Sequence, residues 1–208
     1  MFNTPMKAVT VENGEYEYPC YASEKYDGWR CLIADGVMYT SGGTPFKPNV
    51  QARFKPIIDA GKKDKLIMDG ELYFEGEQFG DIASVLSASQ EKMAECHLRF
   101  YCFDAITLDE WQGRKAKQTF RQRYIKYHMF CGRLNQSYYL FMPVRQKECV
   151  CKADAVAFYN EVKERGGEGI ILRTPQGLYE PGVRSKDIAK WKVWHTAEAK
   201  IVESVSWN

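Results

Sequence analysis

No run in this sequence approaches the roughly 20 consecutive apolar residues that cross a bilayer, and the opening MFNTPMKAVTVENGEYE has no basic segment leading into an apolar one. Neither a membrane span nor an export signal is expected, which points to an intracellular protein, cytoplasmic or nuclear. Charge of one sign is also scarce. With 29 Lys and Arg against 27 Asp and Glu the formal net charge is +2, so any nucleic-acid-binding face must be local. Cysteine pairing is lacking as well: the seven cysteines, at 20, 31, 96, 102, 131, 149 and 151, are odd in number and scattered through apolar segments, as suits reduced thiols. One Cys-x-Cys and three dispersed histidines do not supply the ligand pairs of a structural zinc site. No internal repeat or low-complexity segment is present.

What is there fits a soluble globular chain, with 45% hydrophobic, 27% charged and 14% aromatic residues over 208 positions. That length suits one large domain, or one domain plus a fragment. Short β-type runs recur: YPCYASEK, WRCLIA, VMYT, KLIMDGELYF, HLRFYCFDAI, YYLFMPV, EGIILR, IAKWKVW and AKIVESVSW, bounded by Gly, Pro, Asn or Asp. Helical patterns lie near 50 to 60, 80 to 90, 118 to 132 and 153 to 165. Because strands and helices do not alternate regularly, an α+β domain of antiparallel sheets flanked by helices is expected rather than a doubly wound fold. Two basic groups, Arg114 to Lys126 and Arg53 to Lys65, are candidate local basic faces.

The chemistry is concentrated in three strand-like runs and one turn. In EKYDGWR, Lys25 precedes an Asp-Gly turn and Arg30. Residues i and i+2 of a strand share a face, so Asp69 and Glu71 pair in IMDGELYF, Glu168 and Ile170 in EGIILR, and Lys190 and Lys192 in IAKWKVW. Ionised side chains on apolar strands are costly to bury without an opposite charge, a metal or a charged ligand. Two carboxylates and two lysines from different strands suit a metal-bound polyphosphate. The carboxylates have the character of magnesium ligands, and Lys25 becomes a candidate nucleophile on phosphorus.

In this order, Lys25-Tyr-Asp27-Gly28-Trp-Arg30, Asp69-Gly70-Glu71, Phe100-Tyr-Cys-Phe103-Asp104, Glu168-Gly169-Ile-Ile-Leu-Arg173 and Lys190-Trp-Lys192 resemble the motifs of covalent nucleotidyltransferases. The resemblance is to the adenylation domain of ATP-dependent DNA ligases, small viral or phage-type enzymes in particular, and it covers nearly the whole chain. It implies a lysyl adenylate on Lys25, formed from ATP with Mg2+, in a ligase that seals nicks in duplex DNA as a monomer. It further implies that Asp27 orients substrates, that Arg30 contacts the sugar or the nick phosphate, and that Glu71 binds ribose or assists the metal. Glu168 becomes the main metal-site carboxylate, and Lys190 and Lys192 grip the α-phosphate. Phe103 stacks on adenine with Ile170 on the other face, Ser23 reads the base, and Arg184 binds phosphate.

Two departures from the family pattern stand out. Thr40-Ser41-Gly42-Gly43 occupies the place of a Ser-Arg, so an arginine expected near the nick phosphate is missing, with Lys47 or Arg53 as substitutes. The chain also reads as an adenylation domain over 1–195 followed at 196–208 by the start of an oligonucleotide-binding (OB) barrel, which the resemblance expects in a full-length enzyme. RNA ligases and capping-type guanylyltransferases share the Lys-x-Asp-Gly core and remain alternatives, as does a nonenzymatic nick-binding module.

Overall fold

The alternating runs assemble into two five-stranded sheets in the computed structural model, which describes residues 3–74, 79–89, 93, 96–135 and 139–193. One sheet holds β1 (Lys7–Thr10), β2 (Cys20–Glu24), β8 (Lys147–Cys149), β9 (Gly169–Arg173) and β10 (Arg184–Lys192), in the order β1-β10-β9-β2-β8. The other holds β3 (Trp29–Ala34), β4 (Val37–Thr40), β5 (Leu66–Tyr73), β6 (Arg99–Thr107) and β7 (Phe141–Pro143), in the order β4-β3-β5-β6-β7. The α+β class agrees with the sequence expectation, but pairing is not antiparallel throughout. β1 joins β10, and β7 joins β6, in parallel. Both are short edge strands reached by long connections, which permit either direction where a tight hairpin would not. KAVT and KEC, the cores of β1 and β8, are four and three residues long, too short for a period of two to register. AKIVESVSW and the 195/196 boundary lie outside the described residues.

The helices are α1 (Pro48–Arg53), α2 (Lys55–Lys63), α3 (Phe79–Ser87), α4 (Leu108–Gln112), α5 (Phe120–Asn135) and α6 (Lys152–Glu164). The single helix expected near 50 to 60 is two, parted at Phe54, because Pro56 lacks an N–H and suits only a first turn. α4 lies outside the helical patterns expected from the sequence although TLDE carries its signal: Thr107 accepts from the Glu110 amide at 3.2 Å, and Glu110 accepts from the Thr107 amide at 2.9 Å. None of the described helices is long and apolar enough to cross a membrane.

Strand alternation sorts the core into three layers. Ile170, Leu172 and Ala189 pack beneath Ala155 and Val162 of α6. Cys31, Ile33, Met68 and Phe100 face the helices on the far side of the second sheet. Between the sheets lie Leu32, Ile67, Ile106 and Ile188, joined by Met6 and Tyr179. The basic groups do not form continuous faces. Arg123 is buried and grips buried Asp104 through two bonds, Nε to Oδ1 at 2.7 Å and Nη2 to Oδ2 at 2.9 Å. Arg53 donates to the carbonyls of Met93 at 2.7 Å and Leu98 at 3.2 Å, so it staples the chain together. All seven cysteines are free thiols, Cys151 being exposed.

Candidate active site

Where the facing sheets part they enclose a cleft of about 300 Å3. β2 turns Ser23 toward this cleft, Tyr21 against Phe120 and Tyr124 of α5, and Cys20 and Ala22 toward α6. Lys25, the next residue in that alternation, follows Ser23 into the cleft, its amide donating to the Gly169 carbonyl at 2.9 Å. The loop after it lies flat on β5 because Gly28 has no side chain. A Cβ there would stand 2.4 Å from the Leu72 oxygen and 2.7 Å from Glu71 Cγ, so Gly28 is what brings Lys25 and Glu71 to one cavity.

Glu168 bridges two lysines. One carboxylate oxygen meets the Lys25 ammonium and the other accepts from Lys192 Nζ at 2.8 Å. The backbone arrives there through Gly169 at φ +139°, where a Cβ would stand 2.2 Å from the Trp191 carbonyl. The Glu168 carbonyl in turn accepts from the Val193 amide at 2.8 Å. Three strand ends are thereby tied at one carboxylate.

Arg30 enters from β3 and is held in a fork by Asp69, Nε to Oδ1 at 3.0 Å and Nη2 to Oδ2 at 2.7 Å, with a further bond to the Met6 carbonyl at 2.8 Å. Tyr179 donates to the same Asp69 Oδ2 at 2.5 Å. On β6 the register passes from Asp69 opposite Asp104 to Gly70 opposite Cys102. Phe103 is therefore the extra residue of a β-bulge, a device that re-aims a side chain, and its ring lines the cleft. Two guanidinium groups lie over that ring, Arg30 at 5.4 Å and Arg173 at 5.3 Å from its centroid.

A lysine amine, an aromatic ring and several cations thus face one cleft. A family model described as "ATP dependent DNA ligase domain" matches residues 4–192. The chain belongs to that family. Among curated proteins it is similar to the "Multifunctional non-homologous end joining protein LigD" of Mycolicibacterium smegmatis, 24% identical over 205 residues, which are 95% of this chain and 24% of that protein. Among solved structures it is similar to "Pmar-Lig_Pre." with a TM-score of 0.77 and 17% identity, over 92% of this chain and 46% of the other. It is also similar to Chlorella virus DNA ligase-adenylate with a TM-score of 0.72 and 24% identity, over 92% of this chain and 68% of the other. The ligase domain described here thus spans about a quarter of the curated relative and under half of the first of these structures.

Of the residues singled out in the sequence, the ligase domain brings Ser23, Lys25, Arg30, Glu71 and Phe103 to the cleft wall, with Arg184 and Lys190 from β10. Glu168 and Lys192 adjoin it through Lys25. Two do not converge. Asp27 is exposed and is not part of the wall. Ile170 is 0% exposed and packs toward α6, while Ile171 lines the cleft. The shared face assigned to Glu168 and Ile170 fails because Glu168 precedes the strand and Gly169 turns the backbone between them. Lys7 on β1 carries no signal in the sequence, and Arg173 on β9, the last residue of its motif, has no role assigned from it; both line the cleft. Arg173 is 3% exposed, reaches Asp104 at 3.4 Å, and leaves its Nε without a partner among the described residues.

The two cleft carboxylates differ electrostatically. Burial pushes Glu71 up to about 8, with Arg30 and Lys25 opposing the shift and Asp69 and Glu168 adding to it. Burial also opposes the charge on Glu168, yet the bonds and charges of Lys192 and Lys25 outweigh it and hold that carboxyl below its usual range. Among the described residues no group of three or more His, Cys, Asp or Glu forms a ready-made metal cage. Magnesium is commonly held by one or two carboxylates plus substrate phosphates, and Glu71 and Glu168, both beside Lys25, are donors of that kind. A cation beside Glu71 would also favour its ionised form.

Proposed function

We propose that this ligase domain transfers AMP from ATP to Lys25 and passes it to the 5′-phosphate of a nick in duplex DNA. The observation that carries the reading is the Lys25–Glu168–Lys192 bridge opening on a cation-lined cleft with an aromatic wall. The adenine base stacks on Phe103, with Ile171 as the second apolar contact and Ser23 near its edge. Stacking uses the flat π-face of a base and leaves its edge to polar groups.

Glu168 orients the Lys25 amine. A carboxyl held below its usual range is a poor proton acceptor, so the ammonium proton leaves to solvent. The freed lone pair then forms an N–P bond at the α-phosphorus while the P–O bond to pyrophosphate breaks and carries its electrons away. Lys190 and Lys192 neutralise the phosphoryl oxygens as charge accumulates. Glu71 and Glu168 would hold a magnesium ion, which would supply further neutralisation of the phosphates. In the second step a nick 5′-phosphate oxygen attacks the lysyl phosphorus and the N–P bond breaks, returning the amine. In the third the 3′-hydroxyl attacks the activated 5′-phosphate, and AMP leaves with the bonding pair. The partner in this reading is nicked duplex DNA, engaged by a monomer.

Intact-mass measurement after incubation with ATP and magnesium tests the reading. The expected result is an increase of one AMP moiety, mapped to Lys25 and absent from Lys25→Ala. A label taken from GTP but not ATP would replace the reading with a capping-type transfer. No covalent nucleotide from either would point to a nonenzymatic module.

A further inference from the structure

The cations of the cleft fall into two sets. Lys25 and Lys192 share the Glu168 carboxylate, Arg30 is paired with Asp69, and Arg173 faces Asp104. Lys7, Arg184 and Lys190 also line the cleft, and none has a carboxylate within 4 Å among the described residues. They come from two neighbouring strands. β1 runs parallel to β10 with Lys7 opposite Arg184 and Thr10 opposite Lys190. The pairing is anchored on both sides of Lys7: its amide donates to the Val183 carbonyl at 2.8 Å, and the Arg184 guanidinium donates to the Ala8 carbonyl. Like charges set opposite one another across a strand pair are destabilising, so this arrangement is explained by an anion that it receives. Burial, reinforced by Lys192, Arg184 and Lys25, holds the Lys190 ammonium below its ordinary pKa, which marks the same local excess of positive charge.

We propose that Lys7 and Arg184, with Lys190 between them and Lys25, hold the terminal phosphates of the nucleoside triphosphate, the part released as pyrophosphate. The inference rests on the adenylation reading above and adds to it a binding role for β1, a strand that carries none of the five motifs. The α-phosphate lies at Lys25, where the N–P bond forms. The β- and γ-phosphates extend toward the exposed edge where Lys7 and Arg184 stand side by side. Lys7 acts there as a point charge with rotatable donors, and Arg184 as a planar fork.

The test separates phosphate-tail binding from base binding. Calorimetry of wild type and Lys7→Met is carried out with an α,β-methylene analogue of ATP, with pyrophosphate and with AMP. Methionine keeps the aliphatic stem and leaves the β1 backbone bonds in place. The expected result is affinity for the ATP analogue and for pyrophosphate weakened about tenfold, the worth of one charge-assisted contact, with AMP binding unchanged and Lys7→Arg restoring most of the loss. Equal weakening of AMP and the ATP analogue would overturn the proposal and make Lys7 a structural residue. Unchanged affinity for all three, with reduced AMP transfer to nicked DNA, would overturn it in favour of a contact to the DNA strand. Whether wild type forms the AMP adduct at all is measured separately, so failure of adenylation and failure of the Lys7 assignment give different results.

Discussion

Lys192 Nζ stands 2.8 Å from Glu168 Oε1, and the opposite oxygen of that carboxylate is held by Lys25. One anion therefore spaces the two cations that the proposed reaction brings to phosphate. Both lysines remain partly exposed, and exposed ion pairs are worth about 0 to 1 kcal/mol in stability, whereas positioning groups at a reacting centre are worth several. Glu168→Gln is expected to slow single-turnover adenylation by about a hundredfold or more while shifting the melting temperature by only a few degrees. Quench-flow with labelled ATP and a thermal melt of the same sample check this. A large drop in melting temperature with normal adenylation would make Glu168 a fold residue.

Glu71 ties stability to pH. Burial raises its carboxyl to about 8, against about 4.3 for an unfolded chain. Between these values the folded protein keeps a proton that the unfolded chain has lost, so stability falls as pH rises. This contribution is full below about pH 4 and gone above about pH 8. Glu71→Gln cannot ionise, and its melting temperature is expected to decline less between about pH 5 and pH 8.5 than that of wild type. Parallel melting curves against pH for the two proteins would show that Glu71 is ionised in the folded state.

Adjacent isoleucines of β9 separate packing from binding. Ile170 is fully buried against α6, whereas Ile171 lines the cleft. Ile170→Ala is expected to cost about 2 to 5 kcal/mol in urea unfolding, the usual range for a buried aliphatic truncation, with little effect on the KM for ATP once folded. Ile171→Ala should do the reverse, raising that KM about tenfold through a lost apolar contact to the base. A KM effect confined to Ile170→Ala would return the base contact to that residue.

The site was legible where charge contradicted its surroundings. Glu71, Lys190 and Lys192 stand among apolar residues of their strands and Glu168 directly before one, and the cost of charge in such runs marked them. Departures from regular backbone were not legible. A bulge at Phe103 and the positive φ of Gly169 each shift the side-chain alternation by one residue, so periodicity placed Ile170 where Ile171 stands. Asp27 shares the turn of Lys25 but points to solvent, because a turn sets backbone direction without fixing every side chain. Lys7 was missed for another reason: a four-residue strand contributes too few positions for a pattern, and its meaning comes from Arg184, far along the chain. The two sheets were legible as a class, while their parallel edges depend on long connections that local sequence does not encode.

The parallel seam between β1 and β10 also bears on how a ribosome-made copy matures. The second sheet draws only on residues 29–143, so its strands can pair while the rest is still being synthesised. β1 and β2 emerge first yet must wait, since their neighbours β9 and β10 come from the last described stretch of the chain. Pairing between distant segments is slow and leaves strand edges exposed in the interval. For Lys25 the delay has a specific meaning: Glu168 and Lys192 reach it only with those late strands, so its ammonium spends the early life of the polypeptide without the carboxylate that holds it in the finished sheet.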